Sequence, residues 1–123
     1  MNGIDYIADT NTMLYITVNN PCIHPYVVKN LGISVVTEME LLSYRNITES
    51  EVKLIKEMMM WCKEFQLSDN IKERAIILRR TYGTKLPDAI VAATAIECNV
   101  PLISADKGFR KIKELMLELI EPA

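Results

Sequence analysis

Four carboxylates in this chain stand where an acid can do chemistry. Asp9 ends the apolar run IDYIAD, Glu40 lies one turn into TEMELLSY, Asp88 opens DAIVAATA just after Pro87, and Asp106 ends VPLISAD. Each has a structural explanation. Asp9 and Asp106 suit caps for the segments that follow them, Glu40 has capping-box spacing from Thr37, and Asp88 complements a helix dipole behind Pro87. Jointly they ask for more, because Ser, Thr and Asn cap equally well without charge. Carboxylates a few ångströms apart repel by roughly 1 to 4 kcal/mol per close pair. Either some stay protonated or a cation sits among them. Oxygen ligands without His or Cys beside them favour Mg²⁺ or Mn²⁺ over zinc.

The surrounding patterns place all four acids at one end of a sheet. IDYIAD (4–9) predicts a strand, and Thr10 or Asn11 a cap for the helix in TNTMLYITV. GISVV (32–36) predicts a second buried strand, TEMELLSY (37–44) a helix begun by Thr37, and Thr48 with Glu51 the start of a longer helix. On that helix Val52, Ile55, Met59, Cys62 and Phe65 form an apolar stripe that Met58 to Trp61 widen. Core packing is the first reading of the methionine run, and a contact surface for a partner or a second subunit the second. FQLS (65–68) suits a brief strand, and Ser68 or Asp69 caps a helix that stops near Gly83. From Pro87 to about Cys98 almost every direction is apolar, so that helix must lie inside the protein. VPLISAD (100–106) is a further strand, GFRKIKEL (108–115) an amphipathic segment and LMLELI (115–120) a last strand. Strands alternating with helices predict a three-layer α/β/α sandwich around a parallel sheet of four or five strands, in one domain spanning residues 1–123. In such sheets the crevice beyond the carboxyl ends of the strands is the place for chemistry.

Composition narrows the class further. Half of the residues are hydrophobic and 24% charged, the balance of a soluble globular domain. No apolar run approaches the ~20 residues of a membrane span, and MNGIDYIADT lacks a basic segment followed by a long apolar one, which places the protein in the cytoplasm. Cys22, Cys62 and Cys98 are odd in number and far apart, matching neither a disulfide framework nor zinc spacing. His24, the only histidine, has no companions for a triad. A net charge of −2 gives no global pull on nucleic acid, which leaves local cations. Lys85 precedes Asp88, and Lys107, Arg110 and Lys111 follow Asp106, where they could reach phosphates or form a solvated face.

Four segments, in order, resemble one family. YIADTNTML, VVTEMELL, LPDAIVAATA and PLISADKGF are similar to the motifs of the PIN domain, and within it of the VapC-like toxins of type II toxin–antitoxin systems. The resemblance covers essentially the whole chain. It implies Mg²⁺ or Mn²⁺ held by Asp9, Glu40, Asp88 and Asp106, with Asn11 and Ser104 in support, and cleavage of single-stranded RNA to 5′-phosphate and 3′-hydroxyl ends. Asp9 and Asp88 are assigned to direct metal contact, with Glu40 and Asp106 completing the shell or acting through water. A protein antitoxin and a homodimer are the partners so implied. The chain departs from the pattern in two places: Ser43-Tyr44 stand where many toxins have Gly, and Ser104 where Thr is common. Two other readings stay open. One is a catalytically inactive PIN-like binding module. The other is a haloacid-dehalogenase-like phosphatase, which needs a second acid two residues after the first, where this chain has Asn11.

Overall fold

The computed structural model describes residues 2–123. Five short strands form the central sheet: β1 (Tyr6–Ala8), β2 (Leu31–Ser34), β3 (Lys63–Phe65), β4 (Leu102–Ser104) and β5 (Leu117–Leu119). Their order is β3-β2-β1-β4-β5, and every pairing is parallel. The helices between them are α1 (Thr10–Thr17), α2 (Val35–Leu42), α3 (Glu49–Met59), α4 (Asp69–Tyr82) and α5 (Leu86–Cys98), with 3₁₀ turns at Pro21–Ile23 and Lys107–Lys111.

Alternation along the strands builds two cores. Ile7 and Leu102 point into a cluster with Leu78, Ala92 and Ala93 of α4 and α5. Their neighbours Ala8 and Ile103 point the other way, into clusters with Met13, Leu41 and Ile55 or with Ile23 and Ile120. This period of two, buried on both faces, is what a sheet covered by helices on each side requires. The three-layer expectation therefore holds, with five strands.

Helix starts follow their caps, and one differs from expectation. Ser68 caps α4, which ends on Gly83 in the left-handed region, and Thr48 with Glu51 forms the capping box of α3. The second strand, however, ends at Ser34, not at Val36. Ser34 accepts from the Val36 N–H and starts α2 three residues before Thr37. Thr37 is thus inside the helix and fully buried, and no Thr37–Glu40 capping box exists. Val35 and Val36 look like strand by their β-branching, but a serine just ahead offers the backbone a helical start.

Other boundaries shift modestly. The strand in the middle of the chain is Lys63–Phe65, earlier than FQLS, and GFRKIKEL yields only the 3₁₀ turn. The methionine run divides. Met58 and Met59 pack against the α1–α2–α3 core, whereas Met60 and Trp61 are 83% and 88% exposed beyond the end of α3.

Gly32 lies in the middle of the sheet where no side chain fits. A Cβ there would sit 2.8 Å from Phe65 Cε2 and 2.9 Å from the Cδ1 atoms of Ile4 and Ile7. Substitution of Gly32 by Val should cost about 1–3 kcal/mol, read as a lower urea midpoint at unchanged m-value.

Candidate active site

The sheet reverses direction at β1. From β1 the chain winds outward to β2 and β3, then returns to lay β4 on the opposite side of β1. A crevice opens beyond the carboxyl ends of two strands where the order reverses. Asp9 directly follows β1 and Asp106 lies two residues past β4, so both stand at this switch point. Asp88 joins them from the first turn of α5 and Glu40 from α2.

These side chains line a single cleft of about 350 Å³ together with Thr10, Asn11, Ser43, Tyr44, Val91 and Phe109. All four sequence-derived acids are therefore brought together, on four different elements. Asn11 is on the wall, exposed. Ser104 lies beneath, fully buried, and connects two of the acids. Its hydroxyl donates to Asp9 Oδ2 at 2.5 Å, and its Oγ accepts the Asp106 N–H at 3.0 Å.

Three of the structural explanations are also true, and Asp88 does stand in the first turn of α5 just behind Pro87. Asp9 is the N-cap of α1, its Oδ1 accepting from the Thr12 N–H at 2.9 Å, so neither Thr10 nor Asn11 fills that place. Asp106 caps the 3₁₀ turn through the Gly108 N–H at 2.8 Å. Glu40 loses its structural explanation, since its partner is not Thr37. Its Oε1 instead accepts from the Thr10 hydroxyl at 2.5 Å, across the cleft from its own helix. Sequence reasoning missed Thr10 in this role and Thr12, whose hydroxyl ties α1 to the Ile103 carbonyl at 2.8 Å. The signal available was the run of hydroxyl and amide residues Thr10, Asn11 and Thr12 directly behind Asp9.

Electrostatics confirms that the acids feel one another. Burial pushes the Asp9 carboxyl above its ordinary value, hydrogen bonds from Ser104 and Thr12 pull it down, and Asp106 adds a smaller upward push. Asp88 is raised first by burial and then by the charges of Asp106, Glu40 and Asp9, with Lys85 opposing. Asp88 lies near enough to the other three to register each.

The donor set suits a hard divalent cation. Each Asp9 oxygen accepts one hydrogen bond, which leaves lone pairs for a further partner. Among the described residues no three acid, imidazole or thiol groups already close on a single point. Mg²⁺ does not ask for that, because it keeps several waters and takes only one or two carboxylates alongside substrate oxygens. An open cleft walled by separate carboxylates fits such an ion better than a dry cage would.

Of the four cationic residues named from the sequence, two reach this neighbourhood. Lys85 and Lys111 line a second hollow that shares Asp88, Asp106 and Phe109 with the acid cleft. Lys107 and Arg110 are exposed and line neither space.

A profile of the PIN domain matches residues 6–115. The chain belongs to the PIN domain family. This family membership displaces the phosphatase reading. Solved structures agree on the fold. VapBC2 from Rickettsia felis, bound to a promoter DNA fragment, superposes with a TM-score of 0.85 at 18% identity, covering 96% of this chain and 100% of that one. VapBC-1 from nontypeable Haemophilus influenzae gives 0.80 at 21% identity over 94% and 98%. A toxin–antitoxin complex from Klebsiella pneumoniae gives 0.74 at 25% identity over 91% and 96%. No curated protein sequence matches the chain.

Burial of Asp88 in this PIN domain, together with its acidic neighbours, has a measurable consequence. A raised Asp88 pKa means that the folded state holds the proton more tightly than the unfolded chain does. Metal-free protein should therefore lose stability as pH rises through the window between the ordinary carboxylate value and the raised one. Asp88→Asn should raise the melting temperature of metal-free protein at pH 7 by about 2–5 °C. The gain should shrink as pH falls through that window, because the wild-type carboxyl is then already neutral; calorimetry at several pH values checks both parts.

Proposed function

We propose that this PIN domain is a Mg²⁺- or Mn²⁺-dependent endoribonuclease that hydrolyses phosphodiester bonds of single-stranded RNA, acting in the cytoplasm as the toxin of a toxin–antitoxin pair. The observation that carries this reading is the convergence of Asp9, Glu40, Asp88 and Asp106, from four separate elements, on one cleft at the sheet's switch point. Asp9 and Asp88, the two acids whose carboxyls are pushed upward, are assigned to direct metal contact, and Glu40 and Asp106 to the rest of the shell. When bound, the ion supplies a more acidic water and neutralises charge on the phosphate.

The chain's own residues do the rest. Thr12 and Ser104 hold both oxygens of Asp9, which fixes the carboxylate plane. Thr10 restrains Glu40 on the facing wall. Asn11 presents an amide that can donate to a phosphate oxygen or to an ordered water. Tyr44 is 48% exposed on the cleft wall, an aromatic face of the kind on which an unpaired base stacks. That favours single strands, whose bases are free, over a duplex.

Support for protein partners is of a different kind. One of the structures that share the fold is a toxin–antitoxin complex, from Klebsiella pneumoniae. On this chain Val28, Met60 and Trp61 are each more than four-fifths exposed, and Val27, Met58 and Trp61 help line an apolar hollow of about 190 Å³. Exposed apolar groups of this size mark contact surfaces. A protein antitoxin and a second copy of the chain are the partners of this reading. No helix among the described residues is long and apolar enough to cross a membrane.

Purified Asp9→Asn and Asp88→Asn proteins should cut labelled single-stranded RNA about a hundredfold or more slowly than wild type in Mg²⁺. Cleavage at the wild-type rate by both would overturn the metal mechanism. An inactive binding module would show itself as a wild-type protein that neither cuts RNA nor takes up Mn²⁺ in titration calorimetry.

Ser104→Ala is the test of positioning. It should weaken Mn²⁺ binding by about 10–100-fold in the same calorimetric experiment while the protein stays folded.

A further inference from the structure

Of the side chains that line the acid cleft, Tyr44 alone offers an open apolar face. The four acids suit a metal, the Thr10 hydroxyl is bonded to Glu40, and the Ser43 hydroxyl donates to the Met39 carbonyl. Val91 and Phe109 also line the cleft, but at 3% and 4% exposure they have little surface left to cover. Tyr44, at 48%, leaves about half of its ring side in the open.

The backbone fixes that ring from both sides. The Ser43 N–H returns to the Glu40 carbonyl and closes α2, and the Tyr44 carbonyl accepts from the Ile47 N–H at 3.3 Å. Leu42 before it and Ile47 after it pack against the core of α1, α2 and α3, and Asn46 takes the turn through the left-handed region at φ 63°. A tyrosine has only two side-chain torsions to fix, so a ring on such a tethered turn loses little entropy when a ligand covers it. Tyr44 also follows Glu40 by four residues, one helical turn or ~5 Å along the chain's path. Phosphates of a stacked strand follow one another at about 3.4 Å. The ring therefore stands within two nucleotides of a phosphate held by the acids and their metal. Charge narrows what it takes, because the carboxylates repel an anion, whereas a nucleobase is flat and uncharged.

We propose that Tyr44 stacks the base next to the cut phosphate and gives the nuclease a preference for a purine at that position. The inference rests on the nuclease reading and adds base selectivity to it. The two fused rings of a purine cover more of the phenol than the single ring of a pyrimidine. Preferences of this origin come from stacking strength and not from hydrogen-bond readout. The selectivity is therefore several-fold and confined to one nucleotide.

The test uses the full chain, Mg²⁺ and a single-stranded RNA pool with a randomised central stretch, cut to a small extent and sequenced at the new ends. Wild type should enrich purines several-fold at one of the two positions bordering the cut. Tyr44→Ala should lose that enrichment and cut the pool about 5–100-fold more slowly at low RNA concentration. Its melting temperature should stay within about 3 °C of wild type, since the ring is half in solvent. Tyr44→Phe should keep the enrichment, because the ring stacks and the hydroxyl does not. Met39→Ala removes an exposed apolar side chain of the same helix that does not line the cleft, and it should cut with the wild-type pattern. If wild type cuts without purine enrichment at either position, or Tyr44→Ala keeps the wild-type pattern, the platform is wrong and the nuclease reading stands. Loss of the enrichment in Tyr44→Phe as well would overturn stacking in favour of a hydrogen bond from the phenol. If wild type does not cut the pool, the nuclease reading fails and the platform fails with it.

Discussion

Repulsion among carboxylates at one end of a parallel sheet is the constraint that the rest of this molecule is built to withstand. Left to itself, such a group would spread its charges into water. Here it cannot, because each acid sits on an element anchored in a core. Ala89 through Ala95 of α5 are all buried, so the helix carrying Asp88 has no freedom to withdraw. Asp9 follows Ile7 and Ala8, both fully buried, and Leu41 pins the turn of α2 next to Glu40. Burial of that many apolar side chains exceeds what a few mutually repelling acids at a partly wet rim can cost. The core thus keeps the charges gathered.

The topology decides where that gathering happens. With β1 flanked by β2 on one side and β4 on the other, the loops leaving β1 and β4 diverge to opposite faces and leave a crevice between them. Short strands suffice, because both faces are covered and even three-residue strands are paired along their length. Gly32 shows how closely side chains from the flanking strands converge, with Ile4, Ile7 and Phe65 filling the space a Cβ would need.

Much of this was legible in the chain itself, for physical reasons that can be named. The almost wholly apolar DAIVAATAIEC could only be an interior helix, and alternation of strand and helix signals could only give a parallel sheet. The four acids were legible because charge at the rim of such a sheet is unnecessary for capping. What was not legible were choices made by tertiary contact. VVT reads equally as the end of a strand or the start of a helix until Ser34 is seen to accept the Val36 N–H. Glu40 pairs with Thr10 at a separation of thirty residues, which no local spacing rule can find. The methionine run could not be divided in advance, since it is the end of α3 after Met59 that leaves Met60 and Trp61 in solvent. Of four cationic candidates near the acids, only the fold could separate Lys85 and Lys111 from Lys107 and Arg110.

Capping and chemistry turn out not to compete as explanations for Asp9 and Asp106. Asp9 spends Oδ1 on the Thr12 N–H and Oδ2 on the Ser104 hydroxyl, and the same Ser104 Oγ receives the Asp106 N–H. A single buried serine therefore sets the positions of two acids relative to each other. At Asp9 the hydrogen bonds from Ser104 and Thr12 work against the burial that raises its carboxyl. Those bonds offset part of what burial and the neighbouring Asp106 add. A serine or asparagine in either place would cap the turn and offer the cleft no negative charge. The cap is thus the device by which these acids are held in orientation while each keeps lone pairs for a further partner.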